Sequence, residues 1–484
     1  MISSVFLLPV ILFPILSGAL IQVFRIRGKK AVRIYTGTVT LLTSAAAWLM
    51  ILRAEEAPAV LLQFTRDFTL ELKFDLLGRF FAGIVATLWP LTVFYAFEYL
   101  EDDPRQNTFF TWFTIAYGVT LGIPMSGNLF SLYIFYELLT LATVPLVMHT
   151  GTREAVRAAR IYFGFSLGGA AFALVSMLYL AGGGVLKESV RITQVFYLLG
   201  VLGFGVKSAM FPLHAWLPKA SVAPTPVTAL LHAVAVVKAG VFAVIRLTYY
   251  GYGTEILRGS FAQHLLLVMS AFTILYGAVR AVREVHWKRR LAYSTVANLS
   301  YILFGIYLMS PSGLSGALLH MAFHAEIKIL AFFAAGAVLH RTGREYIFEM
   351  NGLGRKMKMT FLCFTVSALA LTGIPPFSGF ISKWHLLTAA AEENTPWAYA
   401  GAGVILFAAL LTAVYMLGMV RIAWFPGRDA DLSKNESARD PKLLMLVPMV
   451  ILAVGVLLTG LFPGIVLRHA QAIASSVRVM GGEF

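Results

Sequence analysis

Residues 195–250 read VFYLLGVLGFGVKSAMFPLHAWLPKASVAPTPVTALLHAVAVVKAGVFAVIRLTYY, two apolar runs separated by a proline-rich segment. Each run is long enough to cross a bilayer and carries a lysine, Lys207 in the first and Lys238 in the second. A cation near the centre of a membrane helix costs at least about 2.5–3.5 kcal/mol, so it normally faces a partner or a water-filled path. Pro212 follows Lys207 by five residues and removes a backbone donor, which predicts a broken or kinked helix. The stretch therefore predicts a buried polar route within the membrane.

A second stretch has the same plan. Residues 367–387 read SALALTGIPPFSGFISKWHLL, where Pro375 and Pro376 interrupt an apolar run shortly before Lys383. Unwound backbone at membrane depth is tolerated only inside protein or beside water. We therefore expect a second discontinuous helix with its own buried lysine. Two such helices about five spans apart favour two repeats related by inversion, a common plan in transporters.

The composition is that of a membrane protein. The 484 residues are 58% hydrophobic and 13% charged, and the mean hydropathy is +0.77. A single cysteine, Cys363, excludes a disulfide framework and any cysteine-ligated iron–sulfur or zinc site within this chain. The net charge of +15 does not indicate nucleic acid, because most basic residues lie in short loops between apolar runs. The first 24 residues lack a basic leading region and a convincing cleavage site, so we expect them to form a retained first helix.

The apolar runs predict an all-α polytopic membrane protein with about fourteen transmembrane helices. With that assignment, one alternate set of loops holds 25 lysines and arginines, the other set holds eight, and six lie within spans. By the positive-inside rule the rich set faces the cytoplasm and both termini face outward. Residues 53–74 are predicted to be an external hairpin or loop, and the polar segment 427–442 a cytoplasmic loop.

Glu137 is the only acid deep in the fifth predicted span. A buried carboxylate without a partner is neutral, whereas one beside a lysine can stay charged. We therefore pair Glu137 with Lys207. The alternative is an interfacial glutamate near a helix end.

The eleventh predicted span contains HMAFHAEIKILAFF, with His320, His324 and Lys328. At 100° per residue the three side chains fall within an arc of about 80°, a stripe of titratable groups along one helix face. The stripe predicts a proton or ion path. The H-x-x-x-H spacing also suits a metal, but Met321 stands where a zinc-protease helix has glutamate. Glu326 lies on another face.

Two further histidines accompany the lysines. His232 precedes Lys238 in the eighth span, and His214 follows the first break. His232 and Lys238 are separated by about 600° of helical rotation, so both could flank one water chain without touching. Haem ligation is the alternative, but no pair of spans has the repeated histidines of a two-haem bundle.

At this point the chain resembles a known family: the antiporter-like membrane subunits shared by respiratory complex I (NADH-quinone oxidoreductase), Mrp-type Na+/H+ antiporters and membrane-bound energy-converting hydrogenases. The resemblance covers nearly the whole chain, and GVKSAMFPLHAWLPKASVAPTPVTALLHAVAVVKAG is its most specific part. The segments PLHAWLP and TALLHA are more similar to the complex I and hydrogenase branches than to Mrp.

The resemblance implies fourteen helices, with helices 4–8 and 9–13 as inverted repeats and the seventh and twelfth helices discontinuous. On this sequence that corresponds to three N-terminal helices in 1–107, repeats in 108–249 and 264–425, and a cytoplasmic loop with helix 14 in 426–484. Because the chain ends soon after helix 14, we expect no long lateral helix.

The resemblance also implies residue roles. Glu137 and Lys207 resemble the helix-five and helix-seven pair, and Lys238 the connecting lysine of helix eight. His320, His324 and Lys328 resemble the helix-eleven link, and Lys383 the terminal lysine of helix twelve. Glu326 departs from the family pattern.

The leading hypothesis is a subunit that moves protons, or Na+, by alternating protonation along Glu137, Lys207, Lys238, the helix-eleven stripe and Lys383. The sequence shows no redox or hydrolytic site and no cofactor, so any redox step is expected in partner subunits of a complex in the prokaryotic cytoplasmic (inner) membrane. Three alternatives remain. The chain could be an Mrp-type Na+/H+ antiporter subunit with no redox partner, or a purely structural membrane subunit. It could also be a free-standing secondary transporter, which would need a solute pocket at mid-membrane.

Overall fold

The computed structural model describes residues 2–24, 26, 28–65, 68–187, 189–427 and 432–479. Over these ranges the chain is mostly helical, and ten helices are long and apolar enough to cross a membrane. The helices are α1 (Leu7–Val23), α2 (Lys29–Arg53), α3 (Leu76–Tyr99), α4 (Gln106–Gly122), α5 (Leu129–Val147), α6 (Arg153–Ala181), α7 (Gly184–Lys187), α8 (Val190–Gly205), α9 (Trp216–Lys219), α10 (Thr225–Ala233), α11 (Val236–Ile245), α12 (Thr254–Leu257), α13 (Phe261–Arg283), α14 (Trp287–Tyr307), α15 (Pro311–Thr342), α16 (Lys358–Thr372), α17 (Ser378–Glu393), α18 (Pro396–Trp424), α19 (Leu443–Leu461) and α20 (Gly464–Val479).

The chain is not entirely α-helical. Strands β1 (Ala59–Gln63) and β2 (Thr69–Leu72) form an antiparallel hairpin between α2 and α3. Phe64 and Phe68, at its turn, pack their rings 5.7 and 5.2 Å from Phe130 at the start of α5. Of the two alternatives for residues 53–74, the structure has the hairpin.

Polar side chains fix the starts of several long helices. Asp75 accepts a hydrogen bond from the Gly78 amide at the start of α3, and Asn128 accepts one from the Ser131 amide at the start of α5. Ser310 does the same for α15, followed by a proline at the first helical position. These caps satisfy amide groups that would otherwise lack partners at the helix ends.

Three of the predicted spans are interrupted. The first apolar run of the organising stretch ends as α8 at Gly205, so Lys207 lies beyond the helix rather than in its middle, and Pro212 follows the helix end by seven residues. The run containing Lys383 is divided into α16 and α17 at residues 373–377. The run 226–249, predicted as one helix, is divided into α10 and α11 at residues 234–235 and ends in a π-helical segment, Arg246–Tyr252.

The C-terminal region was predicted to contain a cytoplasmic loop and one helix, and the structure has a second helix there, α20. After α19, helix α20 packs against α15 and α3, burying Ala470, Ile473, Ala474 and Val477. Residues 428–431 of the predicted cytoplasmic loop lie outside the described residues. Beyond them, Asn435 is buried and accepts a hydrogen bond from Arg344.

Candidate functional site

The broken end of α8 is sealed by side chains. A helix end within a membrane leaves carbonyl oxygens without partners, and each costs free energy unless it finds a donor. The Tyr136 hydroxyl donates to Phe204 O at 2.8 Å, the Ser208 hydroxyl to Gly205 O at 2.9 Å, and Trp216 Nε1 to Val206 O at 2.8 Å. The discontinuity is therefore a stable feature that holds Lys207 in a fixed place.

Lys207 is completely buried and contacts Tyr136 of α5. Its Nζ donates a hydrogen bond to the Tyr136 backbone oxygen and lies 3.3 Å from the centre of the Tyr136 ring. Glu137 is half-buried, and its Oε1 has no hydrogen-bond partner among the described residues. The two charges act on each other, but no ion pair within 4.0 Å joins them among the described residues. The direct pairing expected from sequence is thus replaced by a contact with the preceding residue.

Gly240 brings the two lysine-bearing segments together. A Cβ at Gly240 would lie 2.5 Å from Ser208 N and 2.8 Å from Lys207 C. Only glycine permits α11 to approach the broken segment this closely. Lys238, two residues earlier on α11, lies about 200° around the helix axis from this contact and therefore faces away from the first break.

Lys238 connects α11 to α15. Its Nζ lies 2.9 Å from His324 Nδ1, and both side chains are fully enclosed. The rings of His324 and His320 are stacked one turn apart with centroids separated by 5.8 Å. Lys238, on α11, therefore contacts the stripe of titratable side chains on α15 at His324.

The same line of groups continues to Lys383. His320 Nδ1 lies 2.9 Å from Ser382 Oγ, and His320 Nε2 lies 3.2 Å from Asn298 Oδ1. Lys383 follows Ser382, and its Nζ donates to Leu371 O at 2.6 Å and Thr372 O at 3.0 Å, the last carbonyls of α16. We call Lys238, His324, His320, Asn298, Ser382 and Lys383 the polar chain. Because both ring nitrogens of His320 are engaged within it, the arrangement leaves no free nitrogen on that histidine for a metal.

Lys328 and His232 are buried near the polar chain but are not members of it. Lys328 is buried and its Nζ donates to Leu291 O at 3.0 Å. His232 is buried against Phe332, with ring centroids 5.1 Å apart. Within the described ranges neither ring nitrogen of His232 has a hydrogen-bond partner. Among the hydrogen bonds of the described residues, Lys238 is bonded to His324 and to neither of these two residues.

His214 is separate from the polar chain. Its ring stacks on Phe211 at 5.4 Å and meets Tyr276 edge-on at 4.7 Å. Phe211 and Pro212 are joined by a cis peptide bond, as are Pro375 and Pro376 in the second break. His214 thus belongs to the packing around the first break.

Glu326 faces α19, on the side of α15 opposite His324. Its Oε2 is 3.3 Å from Thr459 Oγ1, and its Oε1 fills the space left by the missing side chain of Gly455. The Thr459 hydroxyl also lies 2.8 Å from Gly455 O. A hydroxyl has one hydrogen, so while that hydrogen bonds the carbonyl, the contact with Glu326 is a hydrogen bond only if the carboxyl group is protonated. The residue that departs from the family pattern lies between α15 and α19.

Three residues in or beside the polar chain were not predicted from the sequence. Asn298 and Ser382 complete the polar chain, and the Tyr301 ring lies 5.5 Å from Lys383 Nζ. Uncharged polar residues are frequent in membrane helices, so their types alone carried no signal. Asn298 gave one local signal, an amide within the predicted apolar run 291–309, but the sequence did not indicate which helix it faces.

A buried ion pair was also missed. Arg246 makes two hydrogen bonds of 2.6 Å to the Asp75 carboxylate, joining the π-helical segment to the start of α3. Burial acts to raise the pKa of Asp75, but the charge and hydrogen bonds of Arg246 outweigh it and hold the pKa below its usual range. The 171-residue separation of the partners gives no local pattern.

The structure is thus a bundle of membrane-spanning helices, several of them interrupted, with lysine and histidine side chains buried inside it. The chain belongs to the NADH:quinone oxidoreductase/Mrp antiporter transmembrane family, whose profile matches residues 126–412. It is 35% identical over 418 residues to NADH-quinone oxidoreductase subunit N of Desulforudis audaxviator, covering 81% of this chain and 82% of the relative.

Other relatives are longer. The chain is 31% identical over 431 residues to an Na+/H+ antiporter subunit of Alkalihalophilus pseudofirmus, a match that spans 81% of this chain but only 52% of that relative. Among solved structures, the fold is similar to a chain of the archaeal membrane-bound sulfane sulfur reductase, with a TM-score of 0.86 and 24% identity, covering 98% and 99% of the two chains. The Mrp complex from Dietzia gives a TM-score of 0.85 and 21% identity with the same coverage. These relatives and structural neighbours are subunits of multisubunit membrane complexes.

Proposed function

We propose that this chain is the proton- or Na+-translocating subunit of a multisubunit membrane complex, coupling ion movement to redox chemistry carried out by cofactors in partner subunits. The observation that carries the proposal is the row of buried groups in which Lys238 is hydrogen-bonded to His324, His324 is stacked on His320, and His320 is hydrogen-bonded to Ser382, next to Lys383. Buried ionisable groups in membrane segments are costly and mark ion pathways.

The polar chain moves charge by alternating protonation. Lysine and histidine side chains each lose a proton from the cationic form and gain one in the neutral form, and the neutral form of each carries a lone pair. A proton reaching Lys238 passes to His324, then by reorientation of the stacked rings to His320 and towards Lys383. Lys207, whose charge interacts with that of Glu137, supplies a titratable group at the first break.

We further propose fourteen membrane crossings arranged as two inverted five-helix repeats, one containing each broken helix, with both termini on the outer side of a prokaryotic inner membrane. The asymmetry of lysine and arginine between alternate loops supports this orientation. Cysteines placed at the exposed positions Val285, between α13 and α14, and Arg258, between α12 and α13, in a Cys363→Ser background, should label from opposite sides. Labelling of both from one side refutes the orientation.

Two alternatives differ in partners. A component of an Mrp-type Na+/H+ antiporter would work without a redox partner, and the similarity to the Na+/H+ antiporter relative favours it. A free-standing secondary transporter would need a solute pocket at mid-membrane. The cavity among Trp89, Phe113 and Leu231 has room for about one water molecule, too little for an organic solute.

The central test is the variant His324→Phe in the native complex reconstituted into proteoliposomes. Phenylalanine fills similar space and removes both nitrogens between Lys238 and His320, so we expect ion translocation to be lost while the complex still assembles. His469→Phe, at an exposed histidine of α20, is the control. Wild-type translocation by His324→Phe would overturn the proposed function. Retained redox activity without translocation would favour the redox-coupled complex over the antiporter.

A further inference from the structure

A cleft opens at the end of the bundle where α14 begins and α15 ends. It has room for about one water molecule and is lined by His286, Trp287, Lys288, Ala335, Leu339, Arg344 and Glu345. At its mouth His286 Nε2 lies 3.3 Å from Glu345 Oε2, and the Glu345 side chain is 40% exposed. Burial lowers the pKa of His286 although Glu345 acts in the opposite direction. A partly exposed carboxylate beside a neutral imidazole forms the outer edge of the cleft.

Lys288 forms the floor of the cleft. It is 7% exposed, and its Nζ donates to the backbone oxygen of Ala223 at 3.2 Å. Ala223 lies in the segment that joins α9 to α10, immediately after the first broken helix. Removing the charge of a lysine from water costs free energy, and a single hydrogen bond to a neutral carbonyl offsets only part of that cost.

The floor of the cleft leads into the interior. Leu291 lies three residues after Lys288 on α14, about 4.5 Å along the helix axis, and its carbonyl oxygen accepts the hydrogen bond from Lys328. The ring of His232 lies 5.1 Å from that of Phe332, which is one turn after Lys328 on α15. In the described part of the chain both of its ring nitrogens lack hydrogen-bond partners although it is fully buried. Lys288, Lys328 and His232 thus lie on three helices, α14, α15 and α10, that pack against one another.

We propose that this cleft is the site where protons from water at the lysine- and arginine-rich side enter the protein, passing from Glu345 and His286 to Lys288, then to His232 and Lys328. The proposal rests on the proposed ion-translocating function and assigns its access point. Each step moves one proton from a nitrogen or oxygen donor to a lone pair on the next group, so no other reactant is consumed. The unpartnered nitrogens of His232 in the described structure provide the lone pair and the donor that a relay needs.

The alternative is that Lys288 only anchors the Ala223 carbonyl. Lys288→Arg separates the two roles, since arginine donates to a carbonyl but does not release its proton. We expect translocation by the native complex in proteoliposomes to fall at least about tenfold in Lys288→Arg. Translocation at the wild-type rate in Lys288→Arg means that the lysine is an anchor and overturns the relay.

A second measurement does not depend on how well the arginine fits. Glu345→Cys in a Cys363→Ser background is treated from the lysine- and arginine-rich side with a bulky cationic thiol reagent, which we expect to block translocation. Glu101→Cys is the matched control, because Glu101 is 38% exposed and pairs with Lys442 at 2.9 Å as Glu345 pairs with His286. Labelled Glu345→Cys that translocates normally overturns the access site. If His324→Phe is inactive in the same assay, normal translocation by labelled Glu345→Cys overturns the access site but not the proposed function. If His324→Phe is active, the proposed function and the access site are both overturned.

Discussion

Lys238 Nζ and His324 Nδ1 are 2.9 Å apart and form a hydrogen bond between α11 and α15. A hydrogen bond needs one donor and one lone pair, so the pair forms it when the lysine is cationic and the histidine neutral, or when the lysine is neutral and the histidine donates. Two cations at this distance would have no lone pair between them and would repel each other. The pair therefore holds one excess proton at most.

Lys238→Arg tests this sharing. Arginine keeps the positive charge but does not lose its proton, so it can hold His324 in place without passing a proton on. We expect assembly of the complex to be preserved and ion translocation in proteoliposomes to fall at least about tenfold. Lys442→Arg, at a side chain 67% exposed, serves as the control. Normal translocation by Lys238→Arg would show that deprotonation of residue 238 is not needed.

The variants of Lys383 distinguish titration from packing. Methionine keeps the volume of the side chain and removes both the titratable group and the donor to Leu371 O and Thr372 O, so we expect near-complete loss of translocation. Glutamate keeps a titratable group that can donate only when protonated, so we expect partial translocation. Both complexes should insert and assemble. Equal, near-normal rates would place the path elsewhere.

Lys207 and Glu137 should differ in their effects on stability. Lys207→Ala removes the cation and its contacts with Tyr136, so we expect loss of both translocation and thermal stability. Glu137→Ala removes a charge whose Oε1 has no hydrogen-bond partner among the described residues, so we expect loss of translocation with little change in Tm. Thermal unfolding and transport of the purified complexes measure the two effects. A larger Tm loss in Glu137→Ala contradicts the contacts described.

Gly240→Ala should disturb the first break from a distance. The new Cβ would lie 2.5 Å from Ser208 N, so backbone must shift, at a cost of about 1–3 kcal/mol. We expect a lower Tm and reduced translocation. Gly403→Ala on α18, where nothing lies within 4 Å, is the control and should be neutral or slightly stabilising. A Tm for Gly240→Ala that matches the control would refute the close approach.

The stability of the protein should depend on the protonation of His149, at the end of α5. Its side chain is 2% exposed and its Nε2 lies 3.0 Å from Asp103 Oδ2. Burial lowers the pKa of His149 more than Asp103 raises it. The folded pKa is thus below the unfolded value of about 6.5, so stability is present above that value and is lost as pH falls below it. His149→Gln keeps a donor to Asp103 without titrating. The drop in Tm between pH values of about 7.5 and 5.5, which bracket the unfolded pKa, should be smaller in this variant; an unchanged drop would exclude His149 as a cause.

The sequence predicted the membrane helices because apolar runs and buried lysines are local signals. The membership of the family is confirmed by the comparisons, and so is a mostly helical membrane protein. The count of fourteen helices and the inverted repeats stay predictions. Proline marked the two breaks near Lys207 and Lys383. The division of the 226–249 run at residues 234–235 has no proline or glycine at that point, so it arises from tertiary packing that local sequence does not record.

The contacts within the site were harder to predict. The partner of Lys207 is a backbone oxygen of Tyr136, and any residue type offers such an oxygen. Placing Asn298 and Ser382 beside His320 requires the relative rotation of three helices. Lys288 lies in a short basic segment between two apolar runs, where an exposed cation is expected, and only the fold shows that it is buried. The roles of all these side chains in ion movement remain predictions.

The lysine that ends the polar chain also ties together the two halves of a divided helix. Lys383 belongs to α17, while the carbonyls that it holds, Leu371 O and Thr372 O, are the last of α16. A protonated amine attracts the negative end of α16, and a neutral amine does so far more weakly. Each arrival or departure of a proton therefore changes the force between the two half-helices. In the proposed path, the protonation of this one amine would therefore change the attraction between α16 and α17 at the break, where Gly460 of α19 packs closely against Pro376 O.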